Sequence, residues 1–570
     1  MPSILSALAR RLTLTDAIRE RNSAPLALIV LFQLAALAVM AWSEIELLAM
    51  AAFVLTWGLT NFVWLTILGR PALSVVISFT LIALLIEVSR FKFKIVSMTA
   101  SFIDVMVIDQ DSFGFLWAAF PEIRWGLAIF LILAVPSAVA IWRHDPYRVH
   151  RGTASLGAIA CLFGLAGLSL AKPFEPGESF GDSNYVSSFA RSGIKNVSEF
   201  FNDGFMETDR MARVELNLDM SETCQPIAKR PHIILLHDES SFDIRATQGV
   251  NVPDGYGSHF QSFDGKARKF LVEGAGGPSW LTEYNVLSGL SSRSYGQFAF
   301  FVTRIAARRV ERGLPRALRR CGYRTFSLFP VVGAFLGARS YQHGVGVEHF
   351  LDANDLGARV FEPDRFFYDK TTNIIAREYP NGPLFVYIYL AANHFPWGSA
   401  LHPELLPDWH APGNATDDID EYLRRQAMSE VDYAAFIDRL KRDFPDESFL
   451  IVRYGDHQPH FARFIIDRSA DAKTRRERVR TFDPRYFTTY YAIDAINFEP
   501  VDLSSALDLL DAPYLPLLVQ EAAGLPLDGS FAEQKRILQR CRGLFYSCAD
   551  GAEARRFNRL LIDAGLIKDL

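Results

Sequence analysis

The chain has 570 residues, half of them hydrophobic, and is therefore long enough for several domains. Its formal net charge is -5, and it has no basic stretch interleaved with aromatic residues, so nothing in its composition supports nucleic-acid binding. Long apolar segments are concentrated in the first third of the sequence. The chain therefore divides into an apolar part and a part of ordinary globular composition.

Five segments in the first third are nearly free of charge, and each is close to the ~20 residues that cross a bilayer as a helix. These segments are residues 26–42, 47–68, 72–88, 126–142 and 154–171. Buried helices of a soluble protein are the alternative, but five such segments so close together favour transmembrane helices. The sequence predicts a transmembrane domain over residues 1–171.

The distribution of arginine predicts the orientation of these helices. Basic residues precede the first span, follow the second, and lie between the fourth and fifth: Arg10, Arg11, Arg19, Arg21, Arg70, Arg143, Arg148 and Arg151. Because basic residues near helix ends are retained in the cytoplasm, these regions are predicted to be cytoplasmic. An odd number of spans then places everything after Lys172 outside the cytoplasmic membrane. The first span lacks a suitably placed cleavage site and is predicted to be a retained anchor.

The cysteines agree with an exported C-terminal part. Cys161 lies in the fifth span, whereas Cys224, Cys321, Cys541 and Cys548 lie beyond the membrane, where disulfides can form. Cys541 and Cys548 are close enough to close a small loop. Four thiols allow three connectivities, and spacing alone does not select one.

Residues 172–230 are predicted to form a linker with an amphipathic helix over residues 185–201. This helix could lie on the membrane surface or pack against the globular domain, and both interpretations are open.

Residues 231–570 are predicted to form an exported α/β domain, because apolar strands alternate with helical stretches. The candidate strands are residues 232–236, 269–272, 324–328, 384–390, 448–452 and 488–493, and the helices include 282–290, 302–321 and 422–442. Crossover helices between strands require a mainly parallel sheet with helices on both faces.

The first stretch that indicates chemistry is PHIILLHDESSFD, from Pro231 to Asp243. Four apolar residues run into Glu239, as in a buried parallel strand that delivers a carboxylate to the C-terminal edge of a sheet. Open α/β sheets bind ligands at that edge. A core strand followed by a polar loop is the alternative.

The second stretch, GAGGPSWLTEYNVLSGL, follows another strand and places Ser279 at the predicted start of a helix. Unpaired N–H groups at a helix start favour negative charge, so the Ser279 hydroxyl is either an N-cap or a nucleophile. Thr282 stands one helical turn later.

The third stretch, FLIVRYGDHQPH, ends a strand with Asp456 and His457. An exposed turn is the alternative to a site here. Together with Glu239 and Ser279 these residues would bring oxygen and imidazole ligands to one sheet edge, which suits a divalent cation.

These stretches, with LPRALRRCGYRT at 314–325 and AANHFPW at 391–397, occur in the order seen in the alkaline phosphatase superfamily. The chain most resembles its membrane-anchored sulfatase-like branch, which includes lipoteichoic acid synthases, phosphoglycerol transferases of periplasmic glucans, and lipid A phosphoethanolamine transferases. The resemblance covers about residues 231–525, and the five preceding spans match the architecture of the branch. It implies an alkaline-phosphatase-like fold and a bacterial inner membrane location, with the catalytic domain on the periplasmic or extracellular side.

The resemblance also implies roles for individual residues. It assigns Glu239, Asp456 and His457 as ligands of one divalent metal ion, Mn²⁺ or Zn²⁺. Ser279 would be both the fourth ligand and the nucleophile, although the family usually has Thr there, so Thr282 is the alternative nucleophile. His394 would contact the phosphate or the departing alcohol. Arg339 would bind substrate, although its spacing to the following glycine differs by about a residue from the family pattern.

The predicted function is transfer of a phosphoglycerol-type headgroup from a phospholipid donor to an envelope glycan or lipid, through a phospho-serine intermediate. A phosphoethanolamine transferase acting on lipid A or a glycan is one alternative, and an inactive membrane structural or transport component is another. The SWLTE sequence lacks the Pro and Arg needed to make formylglycine, so sulfate-ester hydrolysis is not expected.

Overall fold

The computed structural model describes residues 24–209, 211, 224, 230–359 and 361–568. The four arginines predicted to precede the first span lie outside the described residues. The chain separates into two compact units. The first contains the residues up to Ile108 and Leu116–Asn202, and the second contains Asp109–Phe115 and the residues from Asp203 onward. Residues 172–202, predicted as part of the linker, therefore group with the first unit.

Long apolar helices dominate the first unit. Up to Asp203 the helices are, in chain order, α1 (Ala24–Ser43), α2 (Leu47–Leu68), α3 (Pro71–Val96), α4 (Phe102–Met106), α5 (Gln110–Ala119), α6 (Pro121–His144), α7 (Arg151–Ala171) and α8 (Tyr185–Asp203), and the first residues of α5 count with the second unit. Five of them, α1, α2, α3, α6 and α7, are long and apolar enough to cross a membrane. Helix α6 buries none of its residues and exposes Ile132 and Leu133. Apolar side chains displayed in this way are suited to contact with lipid.

The predicted amphipathic helix is observed as α8. Its residues Tyr185 and Val186 belong to a buried apolar cluster with residues of α1, α2 and α3. Arg191 on the same helix donates to Glu178 at 2.7 Å and to the carbonyl of Lys172 at 2.8 Å. One face of α8 thus packs within the first unit.

The second unit is built on one sheet of eight strands. The strands are β1 (His232–Asp238), β2 (Arg268–Leu271), β3 (Arg324–Leu328), β4 (His349–Leu351), β5 (Leu384–Tyr389), β6 (Phe449–Gly455), β7 (Thr488–Ile496) and β8 (Leu509–Asp511). Their order across the sheet is β4-β3-β5-β1-β6-β7-β2-β8. Only β7 pairs antiparallel with its two neighbours among the described strands, so the predicted mainly parallel sheet is confirmed.

Helices follow most strands of the second unit. They are α9 (Ser279–Ser288), α10 (Val302–Ala306), α11 (Leu314–Arg320), α12 (Ala338–Gly344), α13 (Ala353–Leu356), α14 (Asp364–Glu378), α15 (Asp417–Asp443), α16 (Ala462–Ile466), α17 (Ala472–Arg480), α18 (Leu515–Ala522), α19 (Gly529–Cys541) and α20 (Ala552–Asp563). Ile234 and Leu236 of β1 pack in one cluster with apolar residues of α14 and α15. Because every residue of β1 is buried and alternate side chains point to opposite faces, both faces of this strand are covered.

The predicted single helix over residues 302–321 is wrong, because two short helices, α10 and α11, occupy this range. Arg308 has a positive φ of 63°, and Gly313 is extended directly before α11, which has Pro315 in its first turn. A side chain at Gly313 would approach the Val345 carbonyl to 2.7 Å. The helix therefore stops and restarts around a close contact between distant parts of the chain.

Two disulfides are present among the described residues, Cys224–Cys321 and Cys541–Cys548. Of the three connectivities that the sequence allowed, the structure selects the one that includes the small loop at the C-terminal end.

The register of the central strands positions the candidate site. Strands β1 and β6 are adjacent and parallel, and Asp238 pairs with Gly455 at their ends. The next residue on each strand is an acid, Glu239 and Asp456 respectively. Two carboxylates are thus delivered side by side at the C-terminal edge of the sheet.

Candidate active site

Four predicted site residues come together at this edge. The Ser279 hydroxyl donates to Glu239 Oε2 at 3.0 Å and lies 3.1 Å from His457 Nε2. The same His457 nitrogen lies 3.4 Å from Glu239 Oε1 and 3.4 Å from Asp456 Oδ2. All four residues are buried, with Ser279 the most exposed at 5%. The polar-loop and exposed-turn alternatives for these strand ends are therefore not what the structure shows.

Ser279 is the first residue of α9 and follows a turn formed by Gly276, Gly277 and Pro278. Both glycines have positive φ, and a side chain at Gly276 would press on the backbone of His460 at 3.2 Å. No side chain caps this helix start, and the Ser279 hydroxyl bonds to Glu239 instead of acting as an N-cap. The hydroxyl faces the acids and the imidazole at a helix start, where negative charge is favoured.

The two oxygens of the Asp456 carboxylate have different surroundings. Its Oδ1 accepts from the backbone N–H groups of Ser240 and His457, both at 2.7 Å. Its Oδ2 is buried and faces two imidazoles, with His237 Nε2 at 3.1 Å and His457 Nε2 at 3.4 Å. Gly455 permits this arrangement, because a Cβ there would lie 1.8 Å from the Ser241 carbonyl oxygen.

The charges in this cluster favour a cation. Burial opposes protonation of His457, but Asp456 and Glu239 outweigh it and raise the pKa of this imidazole above its ordinary value. Burial likewise opposes ionisation of Asp456, yet the imidazoles of His457 and His237 keep the pKa of its carboxyl below the usual range. An Asp456 carboxyl that stays ionised while buried attracts positive charge, whether a proton or a metal ion.

The donor set fits a divalent metal ion. The contacts between donor atoms of Glu239, Ser279 and His457 fall between 3.0 and 3.4 Å. Ligands about 2.0–2.2 Å from one ion stand roughly 3.0–3.6 Å apart, so these spacings are compatible with one bound cation. Asp456 Oδ2, 3.4 Å from His457 Nε2, supplies a further buried oxygen ligand.

Sequence reasoning missed a fifth polar residue at this site, His237. Donor atoms of His237, Glu239 and Asp456 all lie within 4.8 Å of one another. A signal for it was present in the sequence, because His237 precedes Glu239 by two residues and strand side chains two apart share a face. The predicted strand ends at Leu236, and no role was predicted for His237, the residue that follows it.

Thr282, the alternative nucleophile, is buried one turn further along α9. Its hydroxyl donates to the backbone carbonyl of Asp456 at 2.6 Å. The bond ties α9 to the end of β6, so Thr282 has a structural role in this arrangement. Among the two candidate hydroxyls, only that of Ser279 has a described contact with the acid and imidazole cluster.

His394 lies on the loop that follows β5, partly exposed and stacked between two phenylalanines. Its ring centroid is 5.1 Å from that of Phe361 and 4.4 Å from that of Phe395. The buried Arg425 holds this loop, donating to the carbonyls of His394 and Pro396, each at 2.7 Å. Arg425 was not predicted, because its partners are backbone carbonyls that the sequence does not identify.

Arg339 is engaged elsewhere in the structure. Its guanidinium donates to Asp352 at 2.8 Å and to Asp355 at 3.3 Å, and it lies over the Phe350 ring. No described contact joins it to the cluster around Ser279. Its assignment as a substrate-binding residue stays a prediction.

Glu283, the residue after Thr282, makes stability depend on pH. Burial raises the pKa of its carboxyl to about 7, opposed by a hydrogen bond from Gln342 at 2.9 Å. The folded state holds the Glu283 proton more tightly than the unfolded state does. The free energy of unfolding therefore falls as pH rises from about 4.5 to about 7, where the carboxyl ionises in the unfolded chain before it ionises in the folded one. We expect Glu283→Gln to remove this loss and to raise the free energy of unfolding at pH 8 by about 3 kcal/mol.

Thermal unfolding of the purified full chain, followed by tryptophan fluorescence at pH 5 and pH 8, measures this effect. The variant should unfold at a higher temperature than the wild type at pH 8, with a much smaller difference at pH 5. Glu477→Gln, which changes an exposed carboxylate, is the matched control and should show no such gain. An equal gain at both pH values would contradict the assignment.

One segment of the chain matches a known protein family. Residues 274–481 match the Sulfatase family model. This segment contains Ser279, His394, Asp456 and His457. The predicted resemblance to sulfatase-like proteins is therefore confirmed over these residues. No curated protein matches the chain in sequence.

Several solved structures are similar to the chain. The phosphoglycerol transferase GacH of Streptococcus pyogenes is 14% identical, with 62% of this chain and 93% of that chain covered and a TM-score of 0.46. The lipoteichoic acid synthase LtaP of Listeria monocytogenes is 16% identical, with 59% and 79% covered and a TM-score of 0.40. The lipooligosaccharide phosphoethanolamine transferase EptA of Neisseria meningitidis is 14% identical, with 73% and 83% covered and a TM-score of 0.35.

Proposed function

We propose that this protein is a phosphotransferase that moves a phosphoglycerol-type headgroup from a phospholipid to an envelope glycan or lipid, through a phospho-serine intermediate. The observation that carries the proposal is the buried Ser279 hydroxyl, which donates to Glu239 at 3.0 Å and lies 3.1 Å from His457. Activated nucleophiles are typically hydroxyls placed in this way, at a helix start, beside a base and within a cluster that can bind a cation.

Glu239, Ser279, Asp456 and His457 would hold one divalent cation, Mn²⁺ or Zn²⁺. When bound, such an ion lowers the pKa of a hydroxyl and offsets the charge of a phosphate. The buried Asp456 Oδ2 and the other nitrogen and oxygen donors of the cluster support this choice.

In the first half-reaction, Ser279 Oγ attacks the phosphorus of the donor phosphodiester in line with the bond to diacylglycerol. Glu239 Oε2, which accepts the hydrogen bond of the hydroxyl, is placed to take its proton. The bond between phosphorus and the diacylglycerol oxygen breaks, and the headgroup phosphate stays on Ser279. His394, on the partly exposed loop after β5, would supply the proton that the departing diacylglycerol needs.

In the second half-reaction, a hydroxyl of the acceptor attacks the phospho-serine. The bond between phosphorus and Ser279 Oγ breaks, and the acceptor proton returns to the protein as Ser279 regains its own. His394, having given up its proton in the first half-reaction, would now act as the base. The products are a headgroup-bearing acceptor and the free serine.

A lipid donor explains why the domain is anchored by five apolar helices. We propose that the chain lies in the bacterial inner membrane with the residues after Lys172 on the periplasmic or extracellular side, as the arginine distribution predicts. A reporter that works only in the cytoplasm should be silent when fused after Leu570. The same reporter fused after Arg148, between α6 and α7, should be active, and the reverse pattern would refute this orientation.

The experiment that tests the proposed function is lipid mass spectrometry of the purified full chain in vesicles. Phosphatidylglycerol and phosphatidylethanolamine are supplied separately, each with an envelope glycan extract as acceptor. The proposal expects diacylglycerol to form from phosphatidylglycerol and phosphoglycerol to appear on the acceptor. Diacylglycerol from phosphatidylethanolamine alone would identify a phosphoethanolamine transferase. No diacylglycerol from either lipid would favour the inactive structural component.

A further inference from the structure

His237 is a buried imidazole at the edge of the cluster, outside the four residues that the proposed function uses. Its Nε2 lies 3.1 Å from Asp456 Oδ2, and both atoms are buried. Besides this contact and the approach of His457 Nε2 to Oδ2 at 3.4 Å, neither atom has a hydrogen-bond partner among the described residues. An imidazole nitrogen and a carboxylate oxygen at this spacing are placed as two ligands of one cation would be.

The other side of the ring is anchored. Its Nδ1 lies 3.0 Å from the Tyr387 hydroxyl and 2.9 Å from the Tyr454 hydroxyl. The ring also stacks on Tyr389, with centroids 3.8 Å apart. Burial raises the pKa of Tyr387 and Tyr454 well above the usual value, so both remain neutral hydroxyls that can accept a hydrogen bond from Nδ1–H. Histidines that bind metals are typically oriented in this way, with the second nitrogen held by an oxygen.

We propose that His237 Nε2 is a further ligand of the cation, beside Glu239 and Asp456. The inference rests on the proposed function only in taking the cluster to be a metal centre. Donor atoms of these three residues already lie within 4.8 Å of one another. An imidazole held by Nδ1–H bonds to a tyrosine hydroxyl presents a free lone pair on Nε2, which is the form that binds a metal ion.

A second imidazole has a consequence for metal preference. Imidazole nitrogen suits Zn²⁺, whereas carboxylate and hydroxyl oxygens also suit Mn²⁺. A site with both His237 and His457 is therefore expected to favour Zn²⁺ more strongly than a site with His457 alone. Removing His237 should lower Zn²⁺ affinity more than Mn²⁺ affinity.

The test compares the wild type with His237→Ala as purified full chains stripped of metal. Chelator competition measures Zn²⁺ and Mn²⁺ affinity, and the visible absorption of the Co²⁺-loaded protein reports the ligands. His237→Ala should weaken Zn²⁺ binding at least about tenfold, weaken Mn²⁺ binding less, and alter the Co²⁺ spectrum.

His232→Ala is the matched control. His232 is also a buried histidine of β1, but its ring contacts Glu447 and the backbone N–H of Leu384 at the opposite end of the strand. Its variant should keep the metal affinities and the Co²⁺ spectrum. If His237→Ala fails to fold, His237→Gln retains a polar side chain of similar reach and should show the same order of effects in weaker form.

Unchanged Zn²⁺ affinity in a folded His237 variant would overturn the proposal. Weaker binding with an unchanged Co²⁺ spectrum would also overturn it, since His237 would then only orient Asp456. A wild type that binds Zn²⁺ through His237 but transfers no headgroup would refute the proposed function and leave this inference standing.

Discussion

Ser279→Ala is expected to abolish headgroup transfer, lowering the rate by at least about 10⁴-fold, because the variant lacks the oxygen that forms the covalent intermediate. The fold should persist, since the described hydrogen bonds of the serine hydroxyl with Glu239, His457 and the Gly277 carbonyl all lie at the site itself. Turnover of a fluorescent phospholipid by membranes that contain equal amounts of each variant measures the loss.

Two companion variants make the assignment specific. Ser279→Thr keeps a hydroxyl and should retain part of the activity. Thr282→Ala removes the bond to the Asp456 carbonyl and should cost stability, about 1–3 kcal/mol, more than activity. Peptide mass spectrometry after incubation with donor lipid should find the phospho-headgroup on Ser279. Its appearance on Thr282, or full turnover in Ser279→Ala, would move the nucleophile one helical turn.

Loss of metal is the second large expected effect. The full chain should carry about one equivalent of Mn²⁺ or Zn²⁺, and His457→Ala should lose it together with activity, because its Nε2 stands 3.4 Å or less from donor atoms of Glu239, Asp456 and Ser279. Glu239→Gln, which keeps the shape of the side chain, should weaken metal binding as well. Elemental analysis of the purified variants gives the metal content.

His394→Ala is the control for this experiment. Its ring lies among phenylalanines on the loop after β5 and has no described contact with the cluster, so it should keep the metal while losing transfer. Unchanged metal content in both the His457 and Glu239 variants would refute the site.

The features predicted correctly from the sequence are those that depend on short, local residue patterns. Uninterrupted apolar segments identified the five long helices, and apolar runs that end in polar residues placed Glu239 and Asp456 at strand ends. Parallel strands place their carboxyl ends at one edge, which is why residues more than 200 positions apart were expected to meet.

The features that were missed depend on long-range packing. The break between α10 and α11 reflects the approach of Gly313 to Val345, and the ion pairs of Arg339 depend on Asp352 and Asp355 at the start of α13. Strands β4 and β8 have only three residues each, too few for an alternating pattern to be recognised. The role of His237 depends on tyrosines contributed by β5 and β6, two strands that lie on either side of β1.

The Arg425 contacts with the loop after β5 divide the site into two parts that can change independently. The first part consists of Glu239, Asp456, His457 and Ser279, which lie at strand ends and at a helix start. Gly455 allows the close approach of the chain at Ser241 beside these residues, so substitutions in this part disturb the chemistry itself. The loop carrying His394 is held mainly through its backbone carbonyls, so its side chains can be exchanged while its path is kept. Adaptation to a new acceptor would therefore be expected to alter the side chains around His394 and to leave Arg425 and the strand ends as they are.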